Sequence, residues 1–168
     1  MRNGVVVDTL RKAGSPFRII FGMNLPQIVE VAGGLGRDQG LGWRLWENTS
    51  TRESMLLAPM LLDPDAIEIE DAVRMCGECP ASEVADVLCH RLLRHTPFVW
   101  SLIQKLSDES EEIYRYCAMR LLWHHVYSRP AEAESIARKE LARNSRMTAG
   151  PALQIVDEVA FMNDASVN

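Results

Sequence analysis

No stretch of this sequence approaches the twenty or so consecutive apolar residues that a membrane-spanning helix needs. The opening MRNGVVVDTLRKAG offers a basic residue and an apolar run too brief for a signal-peptide core, with no small-residue cleavage pattern after it. A cytoplasmic chain with no membrane partner is therefore expected. Only four cysteines are present, which gives no disulfide framework at this length, and a reducing compartment fits buried free thiols. Strict apolar–polar alternation is scarce, so strands are not expected. Tetratricopeptide and ankyrin signatures are absent. Gly33-Gly34-x-Gly36 follows a helix rather than a strand, which excludes a phosphate loop.

What is present is a chain of 168 residues, 47% apolar and 24% charged, enough for one globular domain spanning residues 1–168 with a real core. The net charge of -5 conceals segregation. Asp63 to Asp86 holds eight acids against the single Arg74, whereas Arg115 to Arg146 holds seven bases against Glu132, Glu134 and Glu140. The C-terminal half is suited to face an anion, while the acidic middle disfavours duplex DNA, because phosphate neutralisation supplies most nonspecific DNA affinity.

Helical spacing runs along the chain. Asn24-Leu25-Pro26 places an N-cap before a first-turn proline, and Ile28, Val29, Val31, Ala32 and Leu35 follow as the inward residues before Gly36. Ser50 or Thr51 caps a helix with Leu56, Leu57, Met60 and Leu61 as its stripe, stopped by Asp63-Pro64. Pro80 or Ser82 opens another through Val84, Val87, Leu88 and Leu92, and Thr96-Pro97 introduces Val99, Trp100, Ile103 and Leu106. Ser110 to Tyr127 is apolar on two sides, as a helix packed from both sides would be. Pro130 begins a helix with Ala133, Ile136, Ala137 and Leu141, and Gly150-Pro151 one with Leu153, Ile155, Val156, Val159 and Phe161. Roughly nine or ten helices with short turns predict an all-α fold, antiparallel helix pairs stacked in a row as in an α-α superhelix; no exact repeat period is visible, and the loose consensus of HEAT-like pairs is compatible with the pattern.

Leu45-Trp46, Arg52-Glu53, Leu57-Ala58, Met60-Leu61 and Asp63-Pro64, preceded by Phe21-Gly22-Met23-Asn24-Leu25-Pro26-Gln27-Ile28, resemble a stretch of the bacterial DNA alkylation repair glycosylases. That resemblance covers roughly residues 18 to 64. It implies a HEAT-like right-handed solenoid that holds DNA on a basic concave face and releases cationic alkylated purines. The family's Trp-Asp-x-x-Asp run corresponds to Ser82-Glu83-Val84-Ala85-Asp86, so the resemblance implies Asp86 as the stabilising carboxylate, with serine in place of tryptophan. The family's arginine falls near Tyr116, beside Arg115, and its late Trp-x-x-Arg pair falls near Ile155 and Glu158. A relative without the glycosylase activity is expected, one that binds a protein or nucleic-acid partner in its concave groove; a glycosylase using Asp86 is the alternative.

Read without the family, Asp86, His90 and Arg94 form an i,i+4 row of the kind found on solvated helix faces. Trp123 and His124-His125 close a helix near Arg120 and Arg129, where aromatic and cationic groups suit bases and phosphates. Neighbouring helix residues point about 100° apart, so His124 and His125 do not chelate, and capping the helix C-terminus is the plainer role. Cys76-Gly77-Glu78-Cys79 has the spacing of a metal or redox pair, with Cys89-His90 near in sequence. One CxxC is a weak signal, and buried spectator cysteines are expected, with no metal and no cofactor.

Overall fold

The computed structural model describes residues 4–165. Among them are ten α-helices and no strand, only an isolated bridge between Ile19 and Thr51. No helix is long and apolar enough to cross a membrane among the described residues. The chain divides into two compact units, Met1–Ile67 and Glu68–Asn168.

The first unit contains α1 (Gly4–Lys12), α2 (Leu25–Leu35), α3 (Gln39–Glu47) and α4 (Arg52–Leu61), followed by a 3-10 turn over Pro64–Ala66. Asn24 and Gln27 close a capping box on α2, each side chain accepting from the other's backbone N–H at 3.0 Å. Gly36 ends the helix at φ 71, the left-handed region that favours glycine. The α3 and α4 helices form an antiparallel hairpin, with Asp38 N–H donating to Leu61 O at 3.0 Å, so that the start of one lies by the end of the other. Trp46, Met55, Leu56, Ala58 and Leu61 are buried there. Leu45, Leu57 and Met60, expected in the same core, are only half-buried. On α2 only Ile28 and Ala32 are buried, and Val31 and Leu35 are exposed, contrary to expectation. The apolar arc of α2 is wider than the surface that covers it.

Two charges lie inside this unit. The Glu53 carboxylate accepts the backbone N–H groups of Phe21 at 3.0 Å, Gly22 at 3.0 Å and Met23 at 3.3 Å. Arg52 sits 3.2 Å from the same carboxylate and donates to Met23 O at 2.9 Å. Buried charges survive only when paired and saturated with hydrogen bonds, and this pair is both.

The second unit contains α5 (Ile69–Gly77), α6 (Ser82–Arg91), a 3-10 turn over Leu93–His95, α7 (Val99–Ser107), α8 (Glu112–His125), α9 (Pro130–Leu141) and α10 (Ala149–Ala165). Sequence periodicity did not announce α5, whose acids mask a stripe of Ala72, Met75 and Cys76. The central helix is α8, which packs on α5, α6, α7, α9 and α10, as its two apolar sides predict. The hydroxyl of Tyr114 occupies the space that a side chain at Gly77 would need. Leu153 and Phe161, expected inward on α10, are exposed.

Candidate nucleic-acid interface

Two helices of the second unit present matching rows. Asp86, His90 and Arg94 follow α6 and the turn after it; Tyr116, Arg120 and His124 follow α8 at the same i,i+4 spacing. Asp86 meets Tyr116 and Arg120, while His90 meets His124, so residue numbers rise together and the helices run parallel. Each row faces the other. The solvated row read from sequence thus has a partner.

At one end Tyr116, itself buried, donates its hydroxyl to Asp86 Oδ1 at 2.9 Å. Burial, and then this bond to a carboxylate, raise the Tyr116 phenol well above its ordinary value. Arg120 Nε stands 2.7 Å from the same oxygen. That nitrogen is buried and its N–H aligns with no acceptor, so the contact is Coulombic rather than hydrogen-bonded. Asp86 therefore already has a cation and a hydroxyl donor in place.

In the middle, the rings of His90 and His124 lie 5.0 Å apart with an interplanar angle of 42°. Burial first, then Arg94, His90 and Arg120, push His124 down to about 4. His90 is lowered by the same burial and by Arg94 and Arg91. The His124 imidazole is therefore neutral at pH 7, and both rings stand among guanidinium groups.

At the far end Arg94 Nε donates to His95 Nε2 at 3.0 Å. The Arg94 carbonyl lies 3.0 Å from His125 Nε2; a carbonyl only accepts, so that nitrogen carries the proton. His125 meets Trp100 edge-on at 6.3 Å, and the Arg129 guanidinium lies 4.7 Å over the same indole. Trp123 and Tyr127 are exposed beside them, and the Tyr127 hydroxyl bonds to Glu158 on α10.

The predicted site residues thus separate. Asp86, Tyr116, Arg120 and His124 come together; Arg129 lies over Trp100, and Trp123 is exposed on α8. Arg115 does not join them. It is buried, its Nε donating to Glu140 Oε1 at 3.0 Å and its guanidinium capping the carbonyls of Glu109 and Ser110. Thr148 adds a bond of 2.6 Å to the same Glu140 oxygen. Arg115 ties α8 to α9 and the segment before α10.

The C-terminal basic run is also less free than its composition suggested. Arg129 pairs with Glu132, Arg138 with Glu134, Lys139 with Asp108 and Arg143 with Glu140. Parts of the acidic middle are likewise compensated, Asp63 by Arg37 and both Asp71 and Glu78 by Arg74. Among the described residues Arg91 and Arg94 have no carboxylate partner. Arg94 ends the Asp86–His90 row that sequence reading took as ordinary surface, and Arg91 lies off that row at the end of α6. An open cleft of about 270 Å³ between α7 and α9 is lined by Gln104, Asp108, Glu132 and Lys139, away from the α6–α8 rows.

All four cysteines are buried and unbonded. Cys79 Sγ donates to Met75 O at 3.3 Å, and Cys89 Sγ approaches Cys117 O at 3.7 Å. Burial pushes the Cys76 and Cys89 thiols well up, which keeps them protonated and unreactive. No group of three or more His, Cys, Asp or Glu is arranged to hold a metal among the described residues.

Neither a protein-family model nor a curated protein matches this sequence. A solved structure does, described as "a new family of proteins related to the HEAT-like repeat DNA glycosylases with affinity for branched DNA structures", with a TM-score of 0.80 over 95% of this chain and 71% of that one. The fold is a HEAT-like repeat. The α7–α8 and α9–α10 hairpins, with α6 and α8 parallel in one layer, are the units of such an array. At 14% identity the shared property is the backbone; side-chain chemistry has to be read from this chain's own residues.

Proposed function

We propose that residues 1–168 act as one non-catalytic HEAT-like repeat domain that binds nucleic acid through the α6–α8 face, in the cytoplasm. The observation that carries this reading is the state of Asp86. A carboxylate that stabilises an oxocarbenium-like centre acts by its charge, and it acts best when that charge is aimed at the substrate. Here the charge is shared between Arg120 at 2.7 Å and the Tyr116 hydroxyl at 2.9 Å. The adjoining groups suit a polyanion instead: Arg91 and Arg94 without carboxylate partners, and Trp123 and Tyr127 exposed for stacking against bases.

Branched DNA fits this face better than plain duplex. The fold's solved relative is described by its affinity for branched DNA, and a junction brings phosphates of several strands close together over a compact patch. A straight duplex needs a long basic stripe, which the acids between Asp63 and Asp86 interrupt.

Two assays test the reading. A labelled four-way DNA junction should bind more tightly than duplex of equal length, and Arg91→Gln with Arg94→Gln should weaken it about tenfold as two phosphate contacts are lost. Methylated duplex should release no base with either the native protein or Asp86→Asn. Base release above background that disappears in Asp86→Asn overturns the non-catalytic reading; absence of junction binding overturns the nucleic-acid reading and leaves a protein partner.

A further inference from the structure

We propose that His90, Arg94, Arg120 and His124 form one phosphodiester-binding subsite that takes up a proton when the phosphate arrives. The inference rests on the nucleic-acid reading above and adds to it the chemistry of one contact.

Two imidazoles from different helices stand 5.0 Å apart, close enough for one phosphate to touch both. Arg94 continues the α6 row beyond His90, and Arg120 precedes His124 by one turn on α8. The pair is therefore bracketed along both rows by guanidinium groups. A phosphate carries oxygens in several directions and can accept from two rings and two guanidiniums together.

The charges that face the pair decide what happens on binding. From α6 these are Arg91 and, through Arg120, Asp86; from the turn after it, Arg94 and His95; and from α8, Arg120 and His125. Asp86 is the nearest acid, and Arg120 answers it. The remaining environment is cationic and partly dehydrated, which is why His124 is held down to about 4 and His90 is lowered with it. A phosphodiester reverses the sign of that environment. It repays the repulsion from Arg94 and Arg120 and offers acceptor oxygens to imidazole N–H groups. Both changes favour the protonated ring.

Linkage fixes the sign of the effect. If the complex holds more protons than the free protein, affinity rises as pH falls. A single histidine returning to an ordinary value near 6.5 in the complex tightens binding about tenfold between pH 7.5 and pH 5.5. Duplex contacts made only by arginine show no such change.

The experiment measures binding of a fluorescein-labelled four-way DNA junction by anisotropy at pH 7.5 and 5.5 and fixed ionic strength. It compares the native protein, His90→Gln with His124→Gln, and Arg91→Gln with Arg94→Gln. Both histidines are half-exposed, so helicity should be preserved in the variant. The native protein should bind about tenfold more tightly at pH 5.5; the histidine variant should change by less than about twofold between the two pH values. Calorimetry at pH 6.5 in buffers of different ionisation enthalpy should register proton uptake for the native protein alone. Native binding without pH dependence, or a pH dependence that persists in the histidine variant, overturns this inference and leaves the nucleic-acid reading standing. No binding at either pH overturns both.

Discussion

Each unit holds a carboxylate against an arginine, and the two arrangements are built for opposite ends. Glu53 in the first unit is 6% exposed and spends its oxygens on three backbone amides and the neighbouring Arg52. Asp86 in the second unit has a side chain 39% exposed, meets one hydroxyl and one misaligned guanidinium, and opens onto a row of histidines and arginines. The first is closed: every acceptor it has serves to fix the chain that leads into α2. The second is only partly closed: the carboxylate is itself exposed, although Tyr116 and the Arg120 Nε beside it are buried. A buried ion pair is costly to break because the surviving partner is stranded, whereas a partly exposed pair is held on the surface by screened forces. The comparison teaches that similarity of composition, a carboxylate beside an arginine, says little about role until burial and hydrogen bonding are known.

The largest effect that sharpens this contrast is expected at Glu53. Glu53→Ala takes the adjoining acid away from the buried Arg52 charge and strips three amides of their acceptor, which should cost about 3–5 kcal/mol. The midpoint of urea unfolding measures it. A loss below about 1 kcal/mol would make the two carboxylates equivalent and end the comparison.

A smaller effect should follow pH. His124 is held down to about 4 in the folded protein, below the value near 6.5 of an unfolded chain. The native state therefore binds fewer protons, and the contribution is complete above pH ~6.5 and lost as pH falls toward pH ~4. Because the ring is half-exposed, solvent screening reduces the loss to about 1 kcal/mol between pH 7 and 5. Denaturant midpoints at the two pH values should differ accordingly in the native protein and less so in His124→Gln.

The smallest effect belongs to Asp86→Asn. Asparagine still accepts from Tyr116 and gives up only a screened attraction to Arg120, so stability should change by less than about 1 kcal/mol. Thermal melting measures it. A loss comparable to that of Glu53→Ala would identify Asp86 as a structural anchor rather than part of an open face.

Local signals were the legible ones. The Asn24 and Gln27 capping box, Gly36, and the prolines at 26 and 130 each act through their own backbone, so a few residues suffice to read them. The helical order followed from such signals, and the HEAT-like class from the resemblance carried by the motifs of roughly residues 18 to 64. Which flank of an apolar arc is covered depends on neighbours distant in sequence, and so Val31, Leu35, Leu153 and Phe161 were taken inward when they face out. The same limit applied to the site. Arg115 and Arg120 are two bases on one helix, five residues apart and so about 140° apart around its axis. One meets Glu140 in the interior and the other meets Asp86 at the surface. Nothing local distinguishes them. Arg52-Glu53 was visible as a motif, but its task was hidden because its acceptors serve amides some thirty residues earlier.

That last separation has a consequence for the order in which the chain assembles. Phe21, Gly22 and Met23 belong to no helix, yet their amides donate to a carboxylate 32, 31 and 30 residues further along. Such bonds close a long loop and cannot form until α4 has presented Glu53, so the segment entering α2 sets late in folding, at the entropic cost of that closure. In the finished protein the relation reverses. These loop amides are released to solvent only by openings that move α4 or the segment itself, and their hydrogen exchange reports the docking of the two rather than the looseness usual in a connecting segment.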